Sequence, residues 1–437
     1  MSFLEADTGA LARCLAQVSE DPGALVEAFF ERTEQMALAP AGETTPLRIW
    51  REEGFSIRLV SHQETWMVSR DGIDGSTFLE ALRRTARRMA QGLRPPPRLR
   101  AVPPPEAATA DEARAFTAEV ERRLRERRLG FPLRLEVRRH RRWIQVIGRE
   151  LVAEPEMEDF WSLRADVDGV TWGVLLPALH PTAASAVAAS LAAIFRSRDA
   201  PPPAPRRSDV VLGSSAAAVM LHEAVAHALE VDTLALTGEP SSAIGHRVGS
   251  DVLDLLDDPT SGPPGLRRDS DDEGMPVLRR WLLRRGVVEQ PLADRRWARR
   301  SQMLHPGAGR RQSRHWAPAP RSLHLELLPG DDPLATLAGT VADGVYAAEA
   351  SHGFLDPMSG RFELRLPYGR RLRGGRLEER LGPFLLRGGV GDLLARIGSA
   401  GREVALAGAG WCAKGGQRLP VWSTTPGLLL HGVEVGA

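Results

Sequence analysis

The segment LHEAVAHALE, residues 221–230, decides how the rest of the chain is interpreted. It sets two histidines and a glutamate into an alanine-rich run that continues the strong helix formers of residues 216–221. Ser214 and Ser215 stand at its start, where their hydroxyl groups are predicted to accept N–H groups that the first helical turn leaves unpaired. Because a buried helix holds few polar side chains without a reason, we interpret the segment as a metal site with Glu223 as its general base.

The two histidines, His222 and His227, are five positions apart, which differs from the spacing of the common HExxH zinc-protease helix. An ideal α-helix turns by about 100° per residue, so these side chains would point about 140° apart and could not share one metal ion. A π-type bulge brings residues five apart onto one face, and such bulges are frequent at functional sites. A metal site here therefore predicts a bulged helix. The alternative is a chance placement of two of the eleven histidines.

A catalytic zinc site needs a third protein ligand, because three side chains bind the ion and water takes the fourth position. Glu230 and Asp232 are candidates close to the helix, and Cys412 is a distant candidate. Cys412 has glycines on both sides, which predicts a loop whose backbone can approach a ligand closely. Lys414, the only lysine among 57 basic residues, follows two positions later, either by chance or because the site needs a compact ammonium group.

Composition limits the classes of protein and partner that fit the chain. Its 437 residues are 43% hydrophobic and 26% charged, as in folded proteins of two or three domains. The formal net charge of +1 gives no positive field for non-specific nucleic-acid binding, so we expect no nucleic-acid partner. The arginine-rich segment 121–142 is interrupted by glutamates and is predicted to be a solvated helix and strand face.

The cysteines and the apolar runs predict the compartment. Cys14 and Cys412 do not make a disulfide framework, and Cys14 is predicted to be a small buried residue of an N-terminal helix. The first residues carry acids where a signal peptide has a basic segment, and no apolar run reaches the ~18 residues of a membrane span. We therefore expect a cytoplasmic protein without a membrane-spanning segment.

The order of helical and β-like patterns predicts an α+β fold. Residues 1–200 form a predicted α+β domain of two lobes related by their pattern of elements and joined by a proline-rich linker near 93–105. Each lobe has the order helix, three β-like runs, helix, at residues 4–34, 47–50, 55–60, 65–69 and 76–91, and again at 111–128, 133–137, 143–147, 160–165 and 181–196.

A second proline-rich joint at 199–205 leads to a predicted β-rich domain over residues 206–437. This domain opens with a strand at 209–212 and the metal-site helix. The further predicted features are an acidic, turn-rich segment at 257–273, helices at 333–348 and 390–397, and a hairpin turn at 373–376.

Short motifs in the C-terminal part occur in the order that is typical of one protein family. They are MLHEAV (220–225) with His227, LDLLDDP (253–259), DDEG (271–274), GRR (309–311), PR (320–321), LPG (328–330), GVYA (344–347), SG (359–360), and Cys412 with Lys414 and GQ (416–417). On these motifs the chain resembles the TldD/PmbA family of modulator-of-gyrase type metallopeptidases, and its metal-bearing TldD-like branch in particular. The resemblance runs through most of residues 208–437 and is weak in the N-terminal part.

The resemblance implies the site and its chemistry. In the family, the two helix histidines and the late cysteine bind the metal, which assigns His222, His227 and Cys412 as ligands and Glu223 as general base. It implies a zinc-dependent peptidase that hydrolyses unfolded or extended peptides. It also implies pairing with a PmbA/TldE-like subunit, with a homodimer as the alternative assembly.

A second hypothesis is a catalytically silent subunit of the same family that binds a partner or peptide around a structural metal. A site closed by Glu230 or Asp232 would support this hypothesis, whereas an open, water-bearing position supports catalysis. If the chain is catalytic, Glu230, Asp232 and Lys414 are candidates for residues that contact the metal ligands or the substrate.

Overall fold

The computed structural model describes residues 4–38, 47–61, 64–86, 99–102, 110–129, 133–167, 169–301 and 303–437. It contains a six-stranded sheet within residues 25–176 and a thirteen-stranded sheet within residues 206–436. The predicted α+β class with a β-rich C-terminal part is therefore confirmed. Among the described residues, none of the helices has the length and apolar character that a membrane crossing requires.

The N-terminal part has one order of elements twice. After the short strand β1 (Leu4–Glu5), the first unit contains α1 (Thr8–Ala16), β2 (Leu25–Leu38), β3 (Leu47–Ser61), β4 (Glu64–Asp71) and α2 (Gly75–Ala86). The strand β5 (Arg100–Ala101) pairs with β1. The second unit contains α3 (Ala110–Glu126), β6 (Leu133–Gly148), β7 (Glu156–Val167), β8 (Val170–Leu176) and α4 (Pro181–Ser197). The predicted repeat of helix, three strands and helix is thus present.

The two units share a single antiparallel sheet in the order β4-β3-β2-β6-β7-β8, with β2 and β6 paired at its centre. Side chains alternate between the faces, as they must in extended strands. On one face, apolar residues such as Phe30, Phe55 and Leu163 are buried under the helices. On the other face, polar residues such as Glu31 and Arg142 contact the C-terminal part.

Several predicted boundaries in this region are wrong. The helix predicted at residues 4–34 ends at Ala16, and Leu25–Leu38 is the central strand β2. Glu27 and Glu31 on β2 are buried against arginines, so neither face of the strand is solvated and its alternation is hidden in the sequence.

Other differences concern strand lengths and the linker. The runs 47–50 and 55–60 belong to one strand, as do 133–137 and 143–147, and β8 has no counterpart among the predicted runs. The helix predicted at 76–91 is described as far as Ala86. Most of the predicted linker near 93–105 lies outside the described residues.

The C-terminal part begins with β9 (Arg206–Leu212) and α5 (Ser214–Leu221), followed by a π-helical turn (His222–Ala226), a 3-10 turn (His227–Leu229), α6 (Val231–Leu234) and a second 3-10 turn (Pro240–Ala243). Next come β10 (Leu255–Asp257), β11 (Arg280–Arg284), β12 (Val287–Val288), α7 (Arg295–Ala298), β13 (Gly309–Arg310), β14 (Ala319–Pro320) and β15 (His324–Leu327). The remaining elements are α8 (Leu334–Gly339), β16 (Asp343–Ala347), β17 (His352–Leu355), β18 (Arg361–Leu366), β19 (Gly369–Arg373), β20 (Arg376–Leu381), β21 (Phe384–Gly389), α9 (Val390–Ala395), β22 (Ile397–Lys414) and β23 (Gln417–Gly436).

The long strand β23 organises the thirteen-stranded sheet. It is antiparallel to β9, β21 and β22 and parallel to β15. The helix α5 packs against β22 and β23. The alanines of this helix, residues 216–218, are fully buried, and their small side chains allow the helix to lie close to the sheet. The hairpin of β22 and β23 and the metal-site helix are therefore direct neighbours.

Most predicted elements of this part are present. The predicted strand 209–212 lies in β9, the turn at 373–376 joins β19 to β20, and α9 matches the helix predicted at 390–397. The turn residues Gly374 and Gly375 both have positive φ, which explains the glycine pair. The helix predicted at 333–348 is wrong beyond Gly339, because β16 instead pairs with β9 and β19 in the sheet.

The six-stranded sheet meets loops of the C-terminal part at a buried set of charges that we call the interlayer ion network. Its members are Glu27, Glu31, Arg58, Arg142, Glu158, Arg268, Asp272, Glu273, Arg311 and Arg314. Arg142 Nε donates to Glu31 Oε1 at 2.8 Å, and Arg268 Nη2 donates to Asp272 Oδ1 at 3.1 Å.

The network corrects two predictions. The arginine-rich segment 121–142 is solvated in its helix and at Arg134 of β6, whereas Arg142 at its end is buried among carboxylates. In the acidic segment, Asp258 and Asp271 accept backbone N–H groups as predicted for turns, whereas Asp272 pairs with arginines of the network.

Candidate metal centre

The helix that carries both histidines is bulged. The backbone N–H of His227 donates to the carbonyl oxygen of His222, an i→i+5 bond that makes a π-turn. The predicted serine cap at the start of this helix is wrong, because Gly213 is the capping residue and Ser214 is already helical. A side chain on Gly213 would collide with the carbonyl oxygen of Ala348, so only glycine fits this close approach.

The bulge and the β22–β23 hairpin bring three candidate ligands together. The nearest nitrogen and sulfur atoms of His222, His227 and Cys412 all lie within 4.8 Å of one another. Cys412 Sγ is 3.3 Å from His227 Nε2. The loop predicted around Cys412 is wrong: the residue lies in β22, directly opposite Leu419 of β23, and the hairpin turn follows at 415–416.

The donor atoms fit a metal ion. His222 Nδ1 is 3.3 Å from Ser322 Oγ, and His222 Nε2 is buried without a hydrogen-bond partner among the described residues. Burial lowers the pKa of His222 to about 3, which keeps its imidazole in the neutral form that binds metals. Burial also opposes charge on His227, but Glu230 and Cys412 outweigh it and raise the pKa of His227 well above its ordinary value. Three lone-pair donors thus meet where the field favours a cation.

Glu230 contacts His227 on the side of the ring away from Cys412, and Lys414 in turn binds Glu230. Glu230 Oε2 lies 2.9 Å from His227 Nδ1, so that Nδ1–H donates to the carboxylate and Nε2 is the nitrogen that faces Cys412. Lys414 Nζ donates to Glu230, to Asp232 Oδ1 at 2.7 Å and to Thr233 Oγ1 at 2.9 Å. An ammonium group has three N–H donors and meets three acceptors here, which gives a physical reason for lysine in a chain that otherwise uses arginine.

Glu223 lies beside the three candidate ligands. Its Oε2 is 3.9 Å from His227 Nε2, and its side chain is 18% exposed, so the carboxylate remains accessible. Burial raises the pKa of Glu223 to about 7. The side chain packs against Gly353 of β17, where an added Cβ would lie 2.4 Å from Glu223 Cγ. Gly353 therefore leaves the room that the carboxylate occupies.

Three residues of the site have no individual role assigned from the sequence. Ser322 contacts His222, and Gly353 makes room for Glu223. Arg321 is buried, donates to the carbonyl oxygen of Lys414 at 2.8 Å, and has Nη1 3.6 Å from Glu230 Oε2. Arg321 belongs to the PR motif at 320–321, which is a signal in the sequence. Ser322, between β14 and β15, and Gly353 in β17 carry no such signal.

The sequence matches known proteins through the part that contains this site. The family model described as the PmbA/TldA metallopeptidase C-terminal domain matches residues 205–437. A TldD homologue of Haemophilus influenzae, named a metalloprotease, is 31% identical over 237 residues, which cover 52% of this chain and 48% of the relative. A metalloprotease of Methanothermobacter thermautotrophicus is 29% identical over 239 residues, or 54% and 52% of the two chains. The chain thus matches about half the length of these curated relatives.

The fold is similar to those of solved structures along the whole chain. TldE from Thermococcus kodakarensis superposes with a TM-score of 0.76 at 16% identity, covering 98% of this chain and 100% of that one. A protein of Thermotoga maritima described as a modulator of a DNA gyrase gives a TM-score of 0.74 at 16% identity, covering 98% and 99%. These likenesses establish a shared fold. Because the family model covers more than half of the sequence, the chain belongs to the TldD/PmbA family.

Proposed function

We propose that the chain is a zinc-dependent peptidase that hydrolyses unfolded or extended peptides. The observation that carries this proposal is the convergence of His222, His227 and Cys412 within 4.8 Å, with Glu223 beside them. Two imidazoles and a thiolate are a ligand set that zinc accepts, and three protein ligands leave a position for water or substrate. The names of the curated relatives support a metal-dependent protease.

The residues of the chain have separate tasks in this proposal. His222, His227 and Cys412 would hold the ion, which when bound supplies a Lewis acid that polarises a peptide carbonyl and acidifies water. Glu223 accepts a proton from the attacking water and returns it to the leaving amine. Glu230 orients His227 through Nδ1.

The contacts of Glu230 and Asp232 weigh against the hypothesis of a silent subunit with a closed structural site. Glu230 Oε2 bonds to His227 Nδ1, the nitrogen on the far side of the ring from Cys412, and Asp232 bonds to Lys414. Neither residue therefore belongs to the set of converging ligand atoms. The accessible carboxylate of Glu223 is the further observation that favours catalysis over a purely structural metal.

The residue assignments are tested with purified protein and a quenched fluorescent peptide. Glu223→Gln should keep the zinc content of the wild type and lower turnover by roughly 10²- to 10⁴-fold, the usual contribution of general base catalysis. Glu379→Gln, an exposed glutamate on β20, is the matched control and should leave both unchanged. Undiminished turnover in Glu223→Gln rejects the proposed base, and equal zinc in wild type and His222→Ala rejects the proposed ligand.

We also propose that the chain assembles with a PmbA/TldE-like subunit, with a homodimer as the alternative. The whole-chain similarity to TldE of Thermococcus kodakarensis supports an architecture that such pairs could share. Affinity purification of the chain from its own cells, followed by mass spectrometry and a native mass measurement, tests this assembly. A second family member at equal stoichiometry supports the heteromer, whereas a pure homodimer or monomer contradicts it.

A further inference from the structure

A large cleft lies between the polar face of the six-stranded sheet and the β22–β23 hairpin. Its volume is about 830 Å³, a size suited to a peptide segment. One wall is formed by β6, β7 and β8, including Arg138, Phe160 and Arg164. The opposite wall includes Trp411 and Arg418 of the hairpin.

The cleft adjoins the metal centre on two sides. Leu419, which lines the cleft, is the register partner of Cys412, and Trp411 directly precedes that cysteine. His352 also lines the cleft and directly precedes Gly353, against which Glu223 packs. The hairpin and the strand β17 thus carry both lining residues of the cleft and residues of the metal centre.

The cleft contains arginines that differ in their pairing. Arg141 and Arg142 are bound to Glu34 and Glu31 respectively, and Arg138 pairs with Glu136. The guanidinium groups of Arg164 and Arg418 are both exposed, and neither has an ion pair or a hydrogen bond to any described residue. The cluster of Arg138, Arg164 and Arg418 with the single carboxylate Glu136 therefore carries an excess of two positive charges.

Aromatic residues hold this cluster in place. The guanidinium carbon of Arg418 lies 4.9 Å from the centre of the Trp411 ring, a cation–π contact. Trp411 in turn contacts His140 and Phe160, whose stacked rings have centroids 4.9 Å apart. Burial, together with the nearby charges of Arg164 and Arg138, lowers the pKa of Arg418.

We propose that Arg164 and Arg418 form a subsite that binds a carboxylate of the peptide substrate. The inference rests on the proposed peptidase function and adds a substrate preference to it. The carboxylate is either an Asp or Glu side chain or the free C-terminus of the peptide, since both present the same acceptor pair to a guanidinium group. Because a peptide bound in an extended form presents each residue at a fixed place along the cleft, the carboxylate belongs to one defined position of the substrate.

Calorimetric binding of short, otherwise neutral peptides to the full chain carrying Glu223→Gln tests the subsite without cleavage. One glutamate is moved along the peptide and compared with glutamine at each position, and each peptide is made with a free or an amidated C-terminus. At one position, or for the free C-terminus, binding should be roughly tenfold tighter for the carboxylate, as expected for a charge-assisted hydrogen bond. Preference for the side chain identifies an acidic residue, and loss on amidation identifies the C-terminus.

Substitutions test whether the two arginines cause the preference for a peptide carboxylate. Arg164→Gln and Arg418→Gln should each reduce it, and the double variant should abolish it while binding the glutamine peptide normally. Glu136→Gln removes the competing carboxylate and should strengthen binding of the glutamate peptide, a gain that misfolding cannot imitate. Arg376→Gln, an exposed arginine on β20, is the matched control and should change nothing.

Two results overturn the subsite: equal affinity for all peptides, or a full preference that persists in the double variant. A failure of the peptidase proposal gives a different result. If the zinc-loaded wild type cleaves none of the peptides while the calorimetric preference is present and arginine-dependent, the subsite stands and the catalytic assignment is rejected.

Discussion

The interlayer ion network and the metal centre are both buried polar clusters, but they are balanced in different ways. In the network, each arginine or carboxylate has an opposite charge within hydrogen-bonding or ion-pair distance. Asp272, for example, pairs with both Arg268 and Arg142. In the metal centre, potential ligand atoms of three side chains converge, and His222 Nε2 is left without a partner among the described residues.

This contrast distinguishes buried polar residues that stabilise the fold from buried polar residues that bind a ligand. A set of paired charges is balanced by its own members and joins the six-stranded sheet to loops of the C-terminal part. A set of converging lone-pair donors is incomplete without a cation, and its geometry serves binding. Disrupting the network should therefore cost stability and spare zinc binding, whereas disrupting the centre should cost zinc or activity and spare most of the stability.

The largest effect on stability is expected from Asp272→Asn. This carboxylate is fully buried between Arg268 and Arg142, and breaking a buried ion pair leaves uncompensated charge, which costs about 3–5 kcal/mol. Urea unfolding followed by fluorescence measures the loss. Asp392→Asn, which removes an exposed i,i+4 pair with Arg396, is the matched control and should cost far less, because water already screens this pair. Similar losses in both variants would contradict the structural role of the network.

Acid should weaken the same network. Burial opposes the charge of Glu27 and Asp272, but arginines outweigh it and lower the pKa of each carboxylate. A group whose pKa is lower in the folded state stabilises the fold above its unfolded pKa, about 4, and loses this contribution as the pH falls through the folded value. The urea midpoint should therefore drop steadily below about pH 5, and less steeply in Asp272→Asn. Equal slopes in the two proteins would argue against this explanation.

A smaller and purely functional effect is expected from Gly353→Ala. The new methyl group would overlap Glu223 Cγ and displace the carboxylate, and a shift of about 1 Å at a catalytic group can lower turnover by roughly a hundredfold. Zinc content should not change. Gly388→Ala on β21, where an added Cβ meets nothing within 4 Å, is the matched control. Normal turnover in Gly353→Ala would show that the position of Glu223 does not matter for catalysis.

The smallest effect is expected from Lys414→Arg. A planar guanidinium group cannot direct three donors at Glu230, Asp232 and Thr233 as an ammonium group does, so the support of His227 should loosen. Zinc affinity, measured by competition with a chelator, should fall by about tenfold, the lower end of the effect of such outer contacts. Unchanged affinity would mean that the single lysine has no role at the site.

The sequence predicts some of these features and not others for physical reasons. The two histidine candidates follow from residue type and from their five-residue spacing, which a π-turn makes compatible with one site. Residue types left Glu230, Asp232 and Cys412 open as the third ligand, and the family resemblance implied Cys412. The strand position of Cys412 does not follow, because glycines suit both loops and strands that pack closely. The strand β2 is hidden because Glu27 and Glu31 are buried by partners that are far away in the sequence.

Contacts between distant segments are the general limit. Gly353 and Ser322 matter only through Glu223 and His222, and nothing local marks either residue. By contrast, the glycine pair at 374–375 encodes its own hairpin turn through positive φ and is predictable from two residues.

The most direct test of the metal centre compares the two cysteines of the chain. The zinc content per chain is measured by inductively coupled plasma mass spectrometry in wild type, Cys412→Ser and Cys14→Ser, after dialysis against buffer without chelator. We predict about one zinc per chain in wild type and in Cys14→Ser, whose cysteine is buried in α1, and well below half of that in Cys412→Ser. A wild type without metal, or a Cys412→Ser variant with the same zinc as the wild type, would contradict the account.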